Sequence, residues 1–594
     1  MMTVNFPNVV TSTLLLAERA IAFAGTVGHL HARGGEIGVV ICGPWGFDGL
    51  CSRKFHRLLA SRLAERGYST LRFDYPGEGD AAAIAGGADL EAWVGGALSA
   101  AGELQHLAGC RRVIFYGMGL GGMIALLAAE RFEATAGVVL AVPALNGRRF
   151  LRETGLRERV IVEDLGISLD YPEGSVSLAG FVLPQGVATA LKSAVADGHN
   201  LPNEMPMLFL KRPDNASDEQ VLAGLREGGR EIEVADFPGY GEMMDGLNVS
   251  VEPVSPINAV VDWMTAHWPC QLSAGHAEAV EEPAVLKGDG FVETALTIGS
   301  APGLRGVLCA PDQGRVRATL VFLNMAYTYH IGWGGQWVDA SRRMAADGIR
   351  CLRVDLSNIG DSPARPGVPD QVVYAETQQR DIRTVIDWLR QDDGGPIYLV
   401  GVCSGAHAAL TFAGQNRDVA GVISVNQLRL VWDPDEDVEA TLRAGARPLA
   451  VYKQRAFSLD TYRRLIKGEV NLKRALQNVY GLLARRVARS LAPYLGTLTK
   501  LGRMRSTLFG MLRAMDGRGA RVTFVGCRID GSLDELARYF GPDFSGLKAF
   551  PNAALQIIED TDHMLTRLAA RRELIDVIRR TVLADAEKPD FTQT

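Results

Sequence analysis

The stretch Pro396-Ile-Tyr-Leu-Val-Gly401-Val402-Cys403-Ser404-Gly405-Ala406 decides the fold. Its apolar run reads as a short buried strand, and His407 to Ala413 reads as the opening of a helix. Between them stands Gly-x-Cys-x-Gly. A tight strand-to-helix turn forces its central residue into strained φ/ψ, and the flanking glycines let strand and helix approach without Cβ clashes. The central residue is Cys403. Ser404 stands one place too late for that role.

The same order of elements is written twice. Ile37 to Ile41 is a strand candidate running into Cys42-Gly43-Pro44-Trp45-Gly46, and the amphipathic stretch Phe55 to Arg66 follows. Then come Leu71-Arg-Phe-Asp74, with Gly79-Asp80 after it, and Val113 to Tyr116 leading into Gly117-Met118-Gly119-Leu120-Gly121. In the second half, Leu320 to Leu323 runs into Asn324-Met325-Ala326, Trp337 to Asp347 reads as a helix, and Leu352-Arg-Val-Asp355 precedes Gly360-Asp361. The Leu-Arg-x-Asp landmarks lie 281 positions apart and the two Gly-x-x-x-Gly turns 284 apart. A nearly constant offset indicates a tandem duplication with a large repeat unit. Strands alternating with helix-length patterns indicate α/β architecture with parallel sheets. The expected domains are 1–268 and 291–587, joined by an Ala-, Glu-, Gly- and Pro-rich linker at 269–290 and followed by a polar tail, 588–594.

A chain of 594 residues is too long for one ordinary core. With 47 % apolar and 22 % charged residues it has the composition of a soluble globular protein. The net charge of −6 gives no overall pull towards nucleic acid. Eight cysteines, scattered singly with no CxxC, suggest neither a disulfide framework nor a zinc site. No signal-peptide pattern opens the sequence and no apolar run is long enough to cross a bilayer. A reducing cytoplasm is the expected compartment, and no metal or organic cofactor is implied.

Both halves resemble the α/β-hydrolase superfamily, over nearly the whole chain. Asn324 to Ser362 and Gly401 to Ala406 are similar to serine-aminopeptidase-like hydrolases of the kind found with exopolysaccharide and carrier-protein gene clusters. Cysteine at the turn is shared with dienelactone hydrolases and some cysteine-type thioesterase domains. The resemblance implies a nucleophile, an acid and a histidine in that chain order. Cys403 is then the nucleophile. Arg521 to Gly526 is a late strand, and the loop behind it offers Asp530 as the acid, with Asp534 as the fallback. Leu555 to Ile558 is the last strand, and His563 just beyond it is the base; His407 belongs to the helix after the turn. Asp530 would orient His563, and His563 would deprotonate Cys403. The expected oxyanion donors are the backbone N–H of Ser404 and one from the loop at Met325 or Ala326.

The first copy lacks this chemistry. Gly119 stands at the nucleophile position and Glu242 where the histidine belongs. It reads as a catalytically idle domain retained for packing or partner binding, with Gly147 to Asn203 as a short cap. Over the second copy, about 428–518 reads as a helical cap. From Arg443 to Arg513 it holds 16 Lys or Arg against Asp460 and Glu469. An acidic acyl carrier protein is one partner for that charge; a solvated face or an anionic membrane surface are the others, and a homodimer stays open. The expected function is acyl transfer or thioester hydrolysis through an acyl-cysteine. The alternatives are an ester or lactone hydrolase and a non-enzymatic scaffold.

Overall fold

Val39 to Ile41 and Leu320 to Leu323 are buried on both faces, as unbroken apolar runs are when helices cover both sides of a parallel sheet. The computed structural model describes residues 18–444 and 499–586, apart from 228, 245, 247–251, 271–282, 369 and 393. These runs are central strands of two successive mixed sheets.

The first sheet has the order Arg19–Phe23, Thr26–His31, Ser69–Phe73, Ile37–Cys42, Arg112–Met118, Thr135–Ala141, Met207–Lys211, Glu233–Asp236. The second has the order Val285–Gly288, Phe291–Ile298, Leu304–Pro311, Ile349–Val354, Ala318–Leu323, Ile397–Val402, Gly421–Val425, Arg521–Cys527, Ala553–Ile558. In each, an antiparallel edge leads into a run of parallel strands, and the two are the tandem α/β-hydrolase domains that the duplication implies.

The antiparallel edges were not anticipated. Val285–Gly288 lies inside the expected linker, which therefore stops short of 290. It pairs with Phe291–Ile298 across the two-residue turn Asp289-Gly290, a strong hairpin signal hidden by the surrounding linker-like composition. At the other hairpin, Ala24 and Gly25 take φ of 45° and 75° between Phe23 and Thr26. An alanine in that turn gives no such signal.

After Thr135–Ala141 the first domain inserts the helix Gly147–Leu165, the small hairpin Ser177–Leu178 with Phe181–Val182, and the helix Gln185–Leu191. In the second domain the corresponding insertion is bounded by the helices Val438–Ala444 and Lys500–Asp516. Residues 445–498, the greater part of the expected basic cap, lie outside the described residues. Among the described residues no helix is long and apolar enough to cross a membrane.

The two domains meet through buried charge. Arg53 and Arg72 of the first bind Asp361 of the second, while His330 and Arg353 of the second bind Asp80 of the first.

Candidate active site

Cys403 ends the strand Ile397–Val402 and precedes the helix Ser404–Gln415 with φ 55° and ψ −114°. A non-glycine residue rarely holds that conformation unless its surroundings enforce it. They do so here. A Cβ on Gly401 would lie 2.2 Å from the Gly405 carbonyl carbon, and one on Gly405 would lie 2.5 Å from the Asn324 carbonyl oxygen. Strand, helix and the loop after Ala318–Leu323 are thus packed backbone to backbone, and the turn is fixed. The Cys403 N–H donates to the Val425 carbonyl at 2.9 Å, and the residue is only 6 % exposed.

His563 lies in the loop between Ala553–Ile558 and the helix Leu568–Ala586. Its Nδ1 is 2.6 Å from Asp530 Oδ2, and the Cys403 side chain lies beside the ring. Burial works to lower the imidazole pKa, but the Asp530 carboxylate and the Cys403 sulfur outweigh it. His563 is held well above its ordinary value. Asp530 is buried, and its other oxygen accepts the Ser532 N–H at 2.8 Å. Asp534 sits instead in the first turn of the helix Ser532–Phe540, where it supplies charge at a helix start. The structure therefore brings Cys403, His563 and Asp530 together and leaves Asp534 aside. His407 is buried elsewhere, donating Nδ1–H to the Arg429 carbonyl at 3.1 Å, and burial pushes its pKa down to about 4.

The expected oxyanion donors divide. Ser404 is the first residue of its helix, so its N–H has no acceptor within the helix. The Ala326 N–H, however, donates to Ser404 Oγ at 2.8 Å. That bond corrects the assignment of Ala326 as a donor to substrate and gives the buried Ser404 hydroxyl its role: it ties the loop to the elbow. Met325 lies on the same loop, 9 % exposed.

Two further residues shape the site without a sequence signal. Asn426, fully buried with φ 46°, donates Nδ2–H to the His563 carbonyl at 2.8 Å and accepts the Cys527 N–H at 2.9 Å. It fastens the histidine loop to two neighbouring strands, a role that only the tertiary pairing reveals. Tyr374, at φ 61°, stacks on Trp432 with ring centres 4.3 Å apart. Burial and the nearby Cys403 raise its phenol well above the ordinary range.

In the first domain Gly119 repeats the elbow at φ 55° and ψ −126°. A Cβ there would meet the Pro44 Cβ at 3.1 Å, so the space in front of it is taken. Glu242 lies exposed on the short helix Tyr240–Met244.

Comparison with known proteins bears on the family. Residues 320–577 match the family model described as "Alpha/beta hydrolase family", and residues 46–161 match "Serine aminopeptidase, S33". No curated protein sequence matches the chain. Similar solved structures include a serine hydrolase without a lid from Xanthomonas campestris, at 14 % identity over 50 % of this chain and 97 % of that one, TM-score 0.29. An esterase from Pyrococcus furiosus shares 13 % identity over 51 % of this chain and 99 % of its own, TM-score 0.30. A dienelactone hydrolase from Anabaena variabilis shares 11 % over 50 % of this chain and 99 % of its own, TM-score 0.28. Each spans about half of this chain.

Proposed function

The chain belongs to the α/β-hydrolase superfamily, and we propose that its second domain acts on acyl thioesters through an acyl-Cys403 intermediate. One observation carries the reading. Cys403 stands on an enforced elbow beside a histidine whose Nδ1 is held by a buried aspartate.

The chemistry follows from that arrangement. With Nδ1–H donated to Asp530, His563 takes the Cys403 proton, and the imidazolium so formed is stabilised by the carboxylate. The thiolate attacks the acyl carbon. The carbonyl oxygen becomes an oxyanion that the Ser404 N–H stabilises, with Met325 on the adjoining loop as the second donor. Collapse breaks the carbon–sulfur bond to the leaving thiolate, which takes its proton from His563. An acceptor hydroxyl, thiol or water, deprotonated in turn by His563, then attacks the acyl-cysteine and regenerates the thiol. Thiol and thioester are close in energy, which favours thioesters over amides. The surplus of Lys and Arg between Arg443 and Arg513 supports an acidic carrier protein as acyl donor, since clustered charge speeds encounter with a partner of opposite sign.

The test is intact-protein mass spectrometry after incubation with short and long acyl thioesters, comparing wild type with Cys403→Ala. The expected result is an acyl adduct in wild type alone. Absence of any adduct, together with ordinary alkylation of Cys403 at neutral pH, leaves the scaffold reading in its place.

A further inference from the structure

The loop that carries His563 is held partly by the other domain. Asp170 and Tyr171 follow the helix Gly147–Leu165 of the first domain, before its small hairpin. Asp170 Oδ1 accepts the Leu568 N–H and Oδ2 the Ala569 N–H, each at 2.7 Å. These are the first two residues of the helix Leu568–Ala586, so the cap that a helix normally draws from its own chain just upstream is supplied from a position 398 residues earlier. The Tyr171 hydroxyl donates to the Thr566 carbonyl at 2.7 Å.

A second anchor lies one turn further along. Arg571 Nε donates to the Leu565 carbonyl at 2.9 Å, within the histidine loop, and its Nη2 donates to the Gly180 carbonyl at 2.9 Å, in the first domain. Gly180, at φ 93°, is required: a Cβ there would come within 2.4 Å of that guanidinium nitrogen. The hairpin itself is fixed by the buried Glu158, which accepts from Ser177 Oγ at 2.8 Å and from the Ala179 N–H at 2.7 Å. From Glu158 to Leu565 the path runs through hydrogen bonds between buried groups and the Ala179–Gly180 peptide.

We infer that the 170–180 stretch of the first domain is a positioning device for His563, so that the domain without a nucleophile sets the geometry of the one that has it. The inference rests on the proposed Cys403–His563 chemistry. Asp170 and Tyr171 act through the loop, not on substrate. Releasing them lets the loop drift, lengthens the His563–Cys403 contact and slows proton transfer between the two.

The experiment follows Cys403 alkylation by iodoacetamide from pH 5 to 10, with thioester turnover and thermal unfolding, in wild type, Asp170→Ala, Asp170→Ser and Tyr171→Phe. In wild type alkylation should already be fast at neutral pH, as for a thiol activated by a histidine. Asp170→Ala should move the pH profile upward and lower kcat roughly ten- to a hundredfold with KM nearly unchanged, as small misplacements of a catalytic group do. Asp170→Ser, which keeps one acceptor, should fall between. Tyr171→Phe loses a single bond and is the gentler variant should Asp170→Ala fold poorly; its profile should shift in the same direction. A lowered melting temperature with an unshifted profile and unchanged kcat would overturn the inference. An ordinary thiol profile already in wild type would overturn the proposed chemistry beneath it instead.

Discussion

Arg72 and Asp361 form a buried ion pair between the domains, Nη1 to Oδ1 at 2.7 Å, and their counterparts form it again in reverse. Arg353, 281 positions after Arg72, reaches Asp80, 281 positions before Asp361, at 2.9 Å. Glu18 backs Arg72 at 2.6 Å as Glu293 backs Arg353 at 2.8 Å. Arg53 joins Asp74 of its own domain to Asp361, and His330 joins Asp355 of its own domain to Asp80. The interface is a pseudo-two-fold.

Asp361→Asn should destabilise the chain by about 3–5 kcal/mol, because Arg53 and Arg72 would be left buried beside an uncharged group. Urea unfolding of wild type, Asp361→Asn, Arg72→Met and the double variant measures this. The double variant should be less damaged than the sum of the single ones, since the Arg72–Asp361 pair is then removed whole and Arg53 keeps Asp74.

The same network fixes a pH dependence. Burial opposes ionisation of Asp361 and Glu18, but the surrounding Arg and His side chains win and hold both carboxyls well below the ordinary range. Their contribution is present above about pH 4 and is lost only as the pH falls through those depressed values. His330 runs the opposite way. Burial would lower it, yet Asp80 and Asp355 hold it well above 6.5. Its contribution is complete below about pH 6.5 and is lost as the pH climbs through the raised value. Unfolding free energies from urea titrations between pH 6 and 10 should therefore decline, by up to about 1.4 kcal/mol per pH unit for this group. His330→Gln should flatten that share of the slope.

Restoring a nucleophile to the first domain should not restore activity. Gly119→Cys places a Cβ 3.1 Å from Pro44 Cβ at φ 55°, a strain of about 1–3 kcal/mol. In a Cys403→Ala background the added thiol should leave thioester turnover at zero while the melting temperature drops. Recovered turnover would mean that the first pocket is open.

Asp530→Asn should keep the fold and lower thioester turnover roughly 10²–10⁴-fold, the range for disabling a general acid–base pair. Asn426→Ala should cost less, because Asp530 still holds the ring while the loop loses its anchor at the His563 carbonyl. Steady-state kinetics on one acyl thioester ranks the two, and Asn426→Ala equalling Asp530→Asn would contradict that ranking.

How much of this was legible can be judged from particular residues. Cys403, Asp530 and His563 could be picked out because each follows a strand in an order that the elbow makes meaningful. Ala326 could not be separated from Met325, since which N–H turns towards Ser404 is decided by a positive φ at an alanine, a conformation set by packing. The Leu-Arg-x-Asp landmarks revealed the duplication. Nothing in them says that Arg72 is satisfied by Asp361 across the interface and not by Asp80 in its own repeat, because the partner is chosen by docking. Asp170 is illegible for the same reason: a carboxylate that caps a helix 398 residues away has no local spacing to betray it.

The pseudo-two-fold also frees each half. In a dimer of identical chains every substitution at the axis is made twice, and each residue must fit both roles. Here it is made once. Arg53 and His330 bridge equivalent carboxylates with different chemistry, one a permanent cation and the other a titratable ring. Covalent linkage also keeps the partner at high effective concentration, so the pairing survives any dilution. One copy can thus carry Gly119 at its elbow where the other carries Cys403, and each still keeps a structural companion that cannot dissociate.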